Sequence, residues 1–276
     1  MGTDRLTRTV RHQLGLGRLL PLGDAGDGAW LTEETARGVL RRAAARSMPD
    51  VRLDTLRLAG PDPEEASEPA VPAPPSALPP GPLRLEATLA VTVDEPLPVV
   101  TGRLRTLLLA AADEELGLAV ASADLRVTDL LLERPEPESG SEPESGSDSE
   151  FESDSGEQEE GGSQSAGGAG EGGAGEDLAA ALAPAVLAVP GVARPAPVLG
   201  SPLTLATGDA AARAVRVEEG GGDGEGDGAP PHVLLQLAVA PGHRALDVAR
   251  AARSAAAKAT DREVTVAVLI TAVGRA

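Results

Sequence analysis

A strand–helix–strand pattern occurs twice in this chain, and that recurrence restricts the fold more than any other feature. In the later copy, His232 to Val239 sets Val233, Leu235, Leu237 and Val239 on one face, at the period of two that marks a half-buried strand. From His243 to Thr260, Ala245, Val248, Ala249, Ala252 and Ala256 gather at helical spacing, with Arg244, Asp247, Arg250 and Ser254 turned outward. Val264, Val266, Val268 and Ile270 then alternate again. In the earlier copy Leu83, Leu85, Ala87, Leu89, Val91 and Val93 alternate with Arg84, Glu86, Thr88, Ala90 and Thr92. Leu97, Val100, Leu104, Leu107 and Ala111 form a helical stripe, and Ala121, Ala123, Leu125 and Val127 a closing strand. Leu89-Ala-Val91 matches Leu237-Ala-Val239, and Arg126-Val-Thr-Asp129 falls where Leu269-Ile-Thr-Ala272 does.

Each copy is preceded by a helix, a Pro-containing turn and a strand. Thr32-Glu-Glu-Thr35 supplies a hydroxyl cap and first-turn acids for a helix running to about Ser47. Met48-Pro-Asp-Val51 then leads into a strand, Arg52 to Leu58. In the second half, Leu178 to Val189 is helical in composition but interrupted by Pro184. Val189-Pro-Gly-Val192 corresponds to Met48-Pro-Asp-Val51, and Arg213 to Glu218 reads as the strand. The expected fold is therefore α+β, with two tandem repeats of helix-strand-strand-helix-strand, each a small sheet covered by helices. The repeats occupy residues 30–133 and 177–276. One apolar helix face on one small sheet leaves surface uncovered, which predicts that the two copies pack together.

The segments between and before them differ in kind. Residues 1–29 form a basic amphipathic arm in which Leu6, Val10 and Leu14 oppose Arg5, Arg8, Arg11 and His12; Gly15 and Gly17 weaken the helix and Pro21 ends it. Residues 60–82 are dense in Pro and read as an extended, polyproline-like excursion without regular structure. Residues 134–176 are Glu, Ser, Pro and Gly with one aromatic, too little apolar surface to offset the entropy of ordering, and so a disordered acidic linker. Ser-Asp and Ser-Glu pairs at Ser147 to Ser155 serve there as solvating residues. A Gly and acid loop fills 219–229.

Charge separates along the same boundaries. The net charge is −19, yet fourteen acids and no base lie between Pro135 and Asp177, and five more acids between Glu218 and Asp227. The folded parts are nearly neutral, which argues against the basic footprint of a nucleic-acid binder. Aromatic residues make up 1%, Trp30 and Phe151, so any core is built from Leu, Val and Ala. The absence of Cys excludes disulfides, thiolate zinc sites and cysteine nucleophiles. No apolar run reaches the about 18 residues of a membrane span, and the opening lacks an apolar signal core, so a cytoplasmic location is expected.

No catalytic constellation emerges. Asp223-Gly-Glu225-Gly-Asp227-Gly228 resembles a calcium loop, but Leu234 stands where a bidentate Glu is needed. The glycines of 220–228 have no Lys or Arg among them to receive a phosphate. His12, His232 and His243 share no ligand spacing, and the last two flank one strand. Ser201 in Gly-Ser-Pro lacks the setting of a nucleophile elbow. Glu114 and Glu115 are adjacent at a helix end and diverge. No metal, cofactor or catalytic residue is assigned. The candidate interaction surface comprises Arg5, Arg8 and Arg11 of the arm, and Arg37, Arg41, Arg42 and Arg46, a basic stripe on the first helix.

The entry helix Leu182 to Val192 with its Val-Pro-Gly-Val end, the strands Ala214–Glu218 and Val233–Val239, and the helix and strand from Ala245 to Val273 together resemble one domain of the alkaline shock protein family. The likeness covers about Asp177 to Val273, and Trp30 to Leu132 looks like a more divergent copy. The family's glycine-rich stretch after Pro-Gly-Val is here Pro-rich, with Pro195, Pro197 and Pro202. The resemblance implies a non-enzymatic protein of the bacterial envelope-stress response that self-associates and meets a membrane-anchored protein partner at the inner face of the membrane. Such chains are also likened to nucleopolyhedrovirus fibrous-body proteins, a likeness that low-complexity sequence produces without any heptad repeat. The leading expectation is an interaction or scaffold protein. The alternative is a nucleic-acid or small-ligand binder using the surface between repeats. Nucleic-acid binding is the less expected, and direct membrane binding through the short arm would be weak.

Overall fold

The computed structural model describes residues 17–92, 95–132, 173–196, 215–218 and 230–274. In chain order these form β1 (Leu19–Leu22), β2 (Ala29–Thr32), α1 (Glu33–Ser47), β3 (Val51–Ala59), β4 (Leu83–Thr92), α2 (Leu97–Ala111) and β5 (Val120–Leu131). The second half gives α3 (Gly173–Leu187), β6 (Val192–Pro195), β7 (Val215–Glu218), β8 (His232–Val239), α4 (Ala245–Lys258) and β9 (Thr265–Val273). The fold is α+β, with two sheets of mixed strand direction.

The helices start and stop for local reasons. Thr32 caps α1, its Oγ1 accepting from the Thr35 amide at 3.4 Å, with Glu33 and Glu34 in the first turn and Arg46 in the last. Ala36, Val39, Leu40, Ala43 and Ala44 are its buried face. α4 has Asp247 in its first turn and Lys258 in its last, and buries Ala245, Leu246, Val248, Ala249, Ala252 and Ala256. α2 ends in a π-helical turn, Ala112–Leu116, closed by Gly117 in the left-handed conformation at φ 82°.

The same pairing scheme occurs in both halves. β3 lies antiparallel to β4 with Val51 opposite Val91, and α2 carries the chain to β5, parallel to β4. Val192 likewise stands opposite Val239, and α4 leads from β8 to the parallel strand β9. Both parallel pairs shift register at the same place, between Leu89 and Ala90 and between Leu237 and Ala238. Thr128 and Thr271 sit at those irregularities and donate to equivalent carbonyls, Leu89 O at 3.3 Å and Leu237 O at 3.4 Å.

Two differences from the sequence-based expectation concern strands. Where one strand was expected at 213–218, the edge beside β8 is built from two pieces. β6 covers Leu237 to Val239 and β7 covers His232 to Leu235. The sequence pattern places residues 19–29 at the end of an arm and residues 30–32 at the start of the first unit. They form a hairpin, β1–β2, and β2 pairs parallel with β9, Ala29–Leu31 against Val268–Ile270. The order of this larger sheet is β1-β2-β9-β8-β6, with β7 also on β8; the smaller is β3-β4-β5. Helix α3 begins at Gly173, inside the segment read as linker. The rest of that segment, the helix expected at 3–14 and the loop 219–229 lie outside the described residues.

Strands β1, β2, β8 and most of β9 in the larger sheet are buried on both faces. Val233, Leu235, Leu237, Val266, Val268 and Ile270 enter a core shared with all the helices. Leu234, Ala267, Leu269, Leu19 and Trp30 form a second layer on the opposite face, and Val71 and Ala77 close it. These last two come from the Pro-rich excursion, which holds no helix or extended strand but is fixed by backbone bonds. Leu78 N donates to Leu19 O at 2.8 Å, Leu19 N to Ser76 O at 3.3 Å, and Ala70 N to Ala25 O at 2.9 Å. Gly28, at φ 56°, lets that loop come close, since a Cβ there would lie 2.6 Å from Val71 Cγ2. The strand His232–Val239, expected to be half-buried, is therefore covered on both sides.

Trp30 is 1% exposed and is the large ring in this second layer. Replacing it with Ala should cost about 3–5 kcal/mol of stability, through lost burial and the cavity left behind. Leu97→Ala, at an exposed position, should stay within about 0.5 kcal/mol. Urea unfolding followed by far-ultraviolet circular dichroism compares the two.

Candidate interaction surface

Charged side chains first have to be divided between those that hold the fold and those left for a partner. Asp27, on the β1–β2 turn, accepts from Arg250 of α4 at 2.7 and 2.9 Å, and Arg253 donates to the neighbouring Gly26 carbonyl. The Arg250 hydrogen bonds hold the Asp27 carboxyl below its ordinary value, against a smaller opposing effect of burial. Glu33, 7% exposed at the start of α1, accepts from Arg18 and from the Leu58 amide. Burial pushes its pKa up, but Arg18 and these backbone donors outweigh that, and the net shift is downward. Arg18 also donates to Leu58 O at 2.6 Å, joining β1 to the end of β3.

The two halves are clamped in the same manner. Arg244, preceding α4, binds Asp113 Oδ1 at 2.6 Å and its carbonyl at 2.8 Å. Gly23 N donates to Gly117 O at 3.2 Å, and a Cβ on Gly117 would collide with Leu246. The junction between the halves is thus filled by side chains. Of the adjacent pair Glu114 and Glu115, Glu115 is taken by Arg46 at 2.9 Å and Glu114 is exposed. His232 Nδ1 lies 2.9 Å from Thr265 Oγ1, and His243 Nδ1 lies 3.2 Å from Pro241 O, at opposite ends of β8.

The structure places Arg37, Arg41, Arg42 and Arg46 on α1, and Arg5, Arg8 and Arg11 fall outside the described residues. At about 3.6 residues per turn the four do not share a face: Arg37 and Arg41 flank one side of the buried stripe, Arg42 and Arg46 the other. Arg37 pairs with Glu34 at 3.3 Å, Arg41 donates to Asp54 O at 3.2 Å, and Arg46 holds Glu115. Arg37, Arg41 and Arg42 are half-buried. Arg41 and Arg46 thus attach α1 to other elements, while Arg37 pairs within the helix.

What remains open is one end of the smaller sheet. Leu97 is 38% exposed, Val99 50%, Leu130 50% and Leu132 92%, and all four lie at the carboxyl end of β4 and β5, where α2 begins. A cleft of about 340 Å³ opens beside them between the end of α1, the end of β4 and the first turns of α2. Met48, Val51, Val91, Val100 and Leu107 supply its apolar walls, and the ion pair Arg103–Glu95, 2.9 Å, stands at its rim. Next to the cleft runs β5, whose outer edge meets no strand among the described residues. The sheet's outer face is charged: Arg57, Glu86 and Asp124 share one row, and Thr55, Thr88 and Arg126 the next. The sequence carried a signal for this end in Leu130-Leu-Leu132, a run that breaks the alternation of β5.

Among the described residues no group of three His, Cys, Asp or Glu side chains is placed to hold a metal, and no helix is long and apolar enough to cross a membrane. No family model, curated protein or solved structure matches the chain.

Asp27 and Glu33 both have folded pKa values below their ordinary values of 3.8 and 4.5. Each therefore contributes stability that is fully present above those values and is lost as pH falls through them toward the folded values. The urea midpoint should fall as pH is lowered below about 4.5, and Asp27→Asn should start lower at neutral pH and fall less. A series of urea titrations from pH 7 to pH 3 measures both slopes.

Proposed function

We propose that the protein is a non-enzymatic interaction module of the bacterial cytoplasm whose partner docks at the open end of the β3-β4-β5 sheet. One observation carries this reading: the four large hydrophobics that are exposed among the described residues gather at that end, beside a cleft with both apolar and charged walls and a strand edge that no described strand pairs. The charged groups that sequence inspection could have taken for acid–base residues are engaged in structural clamps. Asp27, Glu33, Asp113 and Glu115 each hold an arginine from another element. The envelope-stress setting and the membrane-anchored partner implied by the alkaline-shock resemblance belong to this proposal and rest on residues 177–273.

A photo-crosslinking amino acid placed at Val99 or Leu130 in the native cell should yield adducts of defined mass. The same group at Ala45, exposed on α1, should yield none. No adduct at either apolar position, with expression and solubility unchanged, would remove the reading.

A further inference from the structure

Strand β5 has a self-complementary stretch on its open edge. Ala123, Leu125 and Val127 face the core side, and Asp124 and Arg126 the charged outer face, as their partners Leu85, Ala87, Leu89, Glu86 and Thr88 on β4 show. Neither Asp124 nor Arg126 is in an ion pair among the described residues. Asp124 stands beside Glu86, a like-charged neighbour on β4, and no described strand lies on the other side of Asp124. Leu125 and Val127 are only half-buried. The exposed guanidinium of Arg105 reaches the Ala123 carbonyl, Nε to O 3.1 Å, from the side that no described strand occupies. Ala123 therefore directs its backbone groups outward, and by the period of two so do Leu125 and Val127.

We propose that a second copy of this chain pairs antiparallel with β5 along this edge, centred on Leu125, so that Asp124 of each copy meets Arg126 of the other. The proposal names a partner for the β5 edge beside the surface described above and rests on that reading. In this register Leu125 faces Leu125 and Ala123 faces Val127, as hydrogen-bonded pairs built from the outward backbone groups. Asp124 and Arg126 then occupy non-hydrogen-bonded positions, where Cα atoms approach to about 4.5 Å and side chains come closest. The Ala123 carbonyl has a second lone pair, so it accepts from the new strand without releasing Arg105.

Charge selects this register over its neighbours. Sliding the copies by two residues sets Asp124 on Asp124 or Arg126 on Arg126, and sliding by one turns the apolar face outward. The molecule also shows that this edge position takes a strand. β9 is the counterpart of β5, and its corresponding edge is occupied by β2. Pairing would join two three-stranded sheets into one of six. Leu130 would come near Val120 of the second copy.

Sedimentation of the purified full-length chain across 1–200 µM, about the range of a moderate dimer, tests the proposal. The wild type should dimerise. Asp124→Arg and Arg126→Asp should each raise the dissociation constant about tenfold or more, since attraction becomes repulsion at two sites. The double variant should regain the dimer, and an equimolar mixture of the two single variants should form a heterodimer. Circular dichroism of each variant establishes that it is folded. A monomeric wild type throughout the range overturns the second-copy inference, while adducts in the cell at Val99 or Leu130 with a different protein would leave the docking surface standing. A dimer indifferent to both single variants, or folded single variants that fail to pair when mixed, also overturns it.

Discussion

The structure depends on three residue pairs, Ala29 with Val268, Trp30 with Leu269 and Leu31 with Ile270. Through them the opening of the chain becomes a neighbour of its last strand. Closing so long a loop costs entropy that grows only with the logarithm of its length, so local contacts can hold it. Those contacts surround the pairing. Thr35 Oγ1 donates to Thr271 O at 2.7 Å, Arg250 holds Asp27, and Arg18 links Glu33 to Leu58. Loss of β2 would strip an edge from β9 and Trp30 from the outer layer. It would also misplace α1, which follows β2 without a gap.

A core with so few rings needs other ways to exclude water. Ala-rich helices allow close approach, as α4 does through Ala245, Ala249, Ala252 and Ala256, but each such residue buries little area. The Pro-rich excursion supplies what the helices do not. Proline restricts the unfolded chain, so fixing this loop over the larger sheet costs less entropy than fixing a flexible segment. Its anchors to Leu19 and Ala25 are backbone hydrogen bonds, which do not depend on large side chains.

β4, α2 and α4 were legible because each element's buried side is determined within its own sequence, and β8 and β9 were legible as strands though not as strands covered on both faces. The capped start of α1 at Thr32 was legible for the same reason. What could not be read was long-range. Nothing near Leu19 or Trp30 states that their partners lie beyond residue 260. Four apolar residues in a row, Leu19 to Leu22, fit a strand as well as the end of an arm. In β8 the sequence Val-Leu-Leu-Gln-Leu-Ala-Val holds a single polar residue, Gln236, which is itself fully buried, so a strand covered on both faces was there to be seen. The arginines of α1 read as a stripe by composition; helical geometry divides them, and their partners Asp54 and Glu115 come from distant elements. The open end of the smaller sheet was legible only in part: Leu130-Leu-Leu132 breaks the alternation of β5, whereas Leu97 and Val99 sit on a helix whose covering the sequence does not state.

Equivalent positions in the two sheets show what that covering does. Glu86, Asp124 and Arg126 occupy the places held in the larger sheet by Leu234, Ala267 and Leu269. The backbone pairing is the same, yet one outer face is charged and solvated and the other apolar and buried. The loop between β3 and β4 accounts for the difference: it leaves the smaller sheet and crosses to the outer face of the larger one. The β1–β2 hairpin, also from the first half, takes the larger sheet's free edge. Both coverings thus pass from the first half to the second, and among the described residues nothing is returned to the edge or outer face of β3-β4-β5. An apolar residue at Asp124 or Arg126 would face water in the single chain. Charges there keep the open sheet soluble while leaving its edge able to choose a partner by sign.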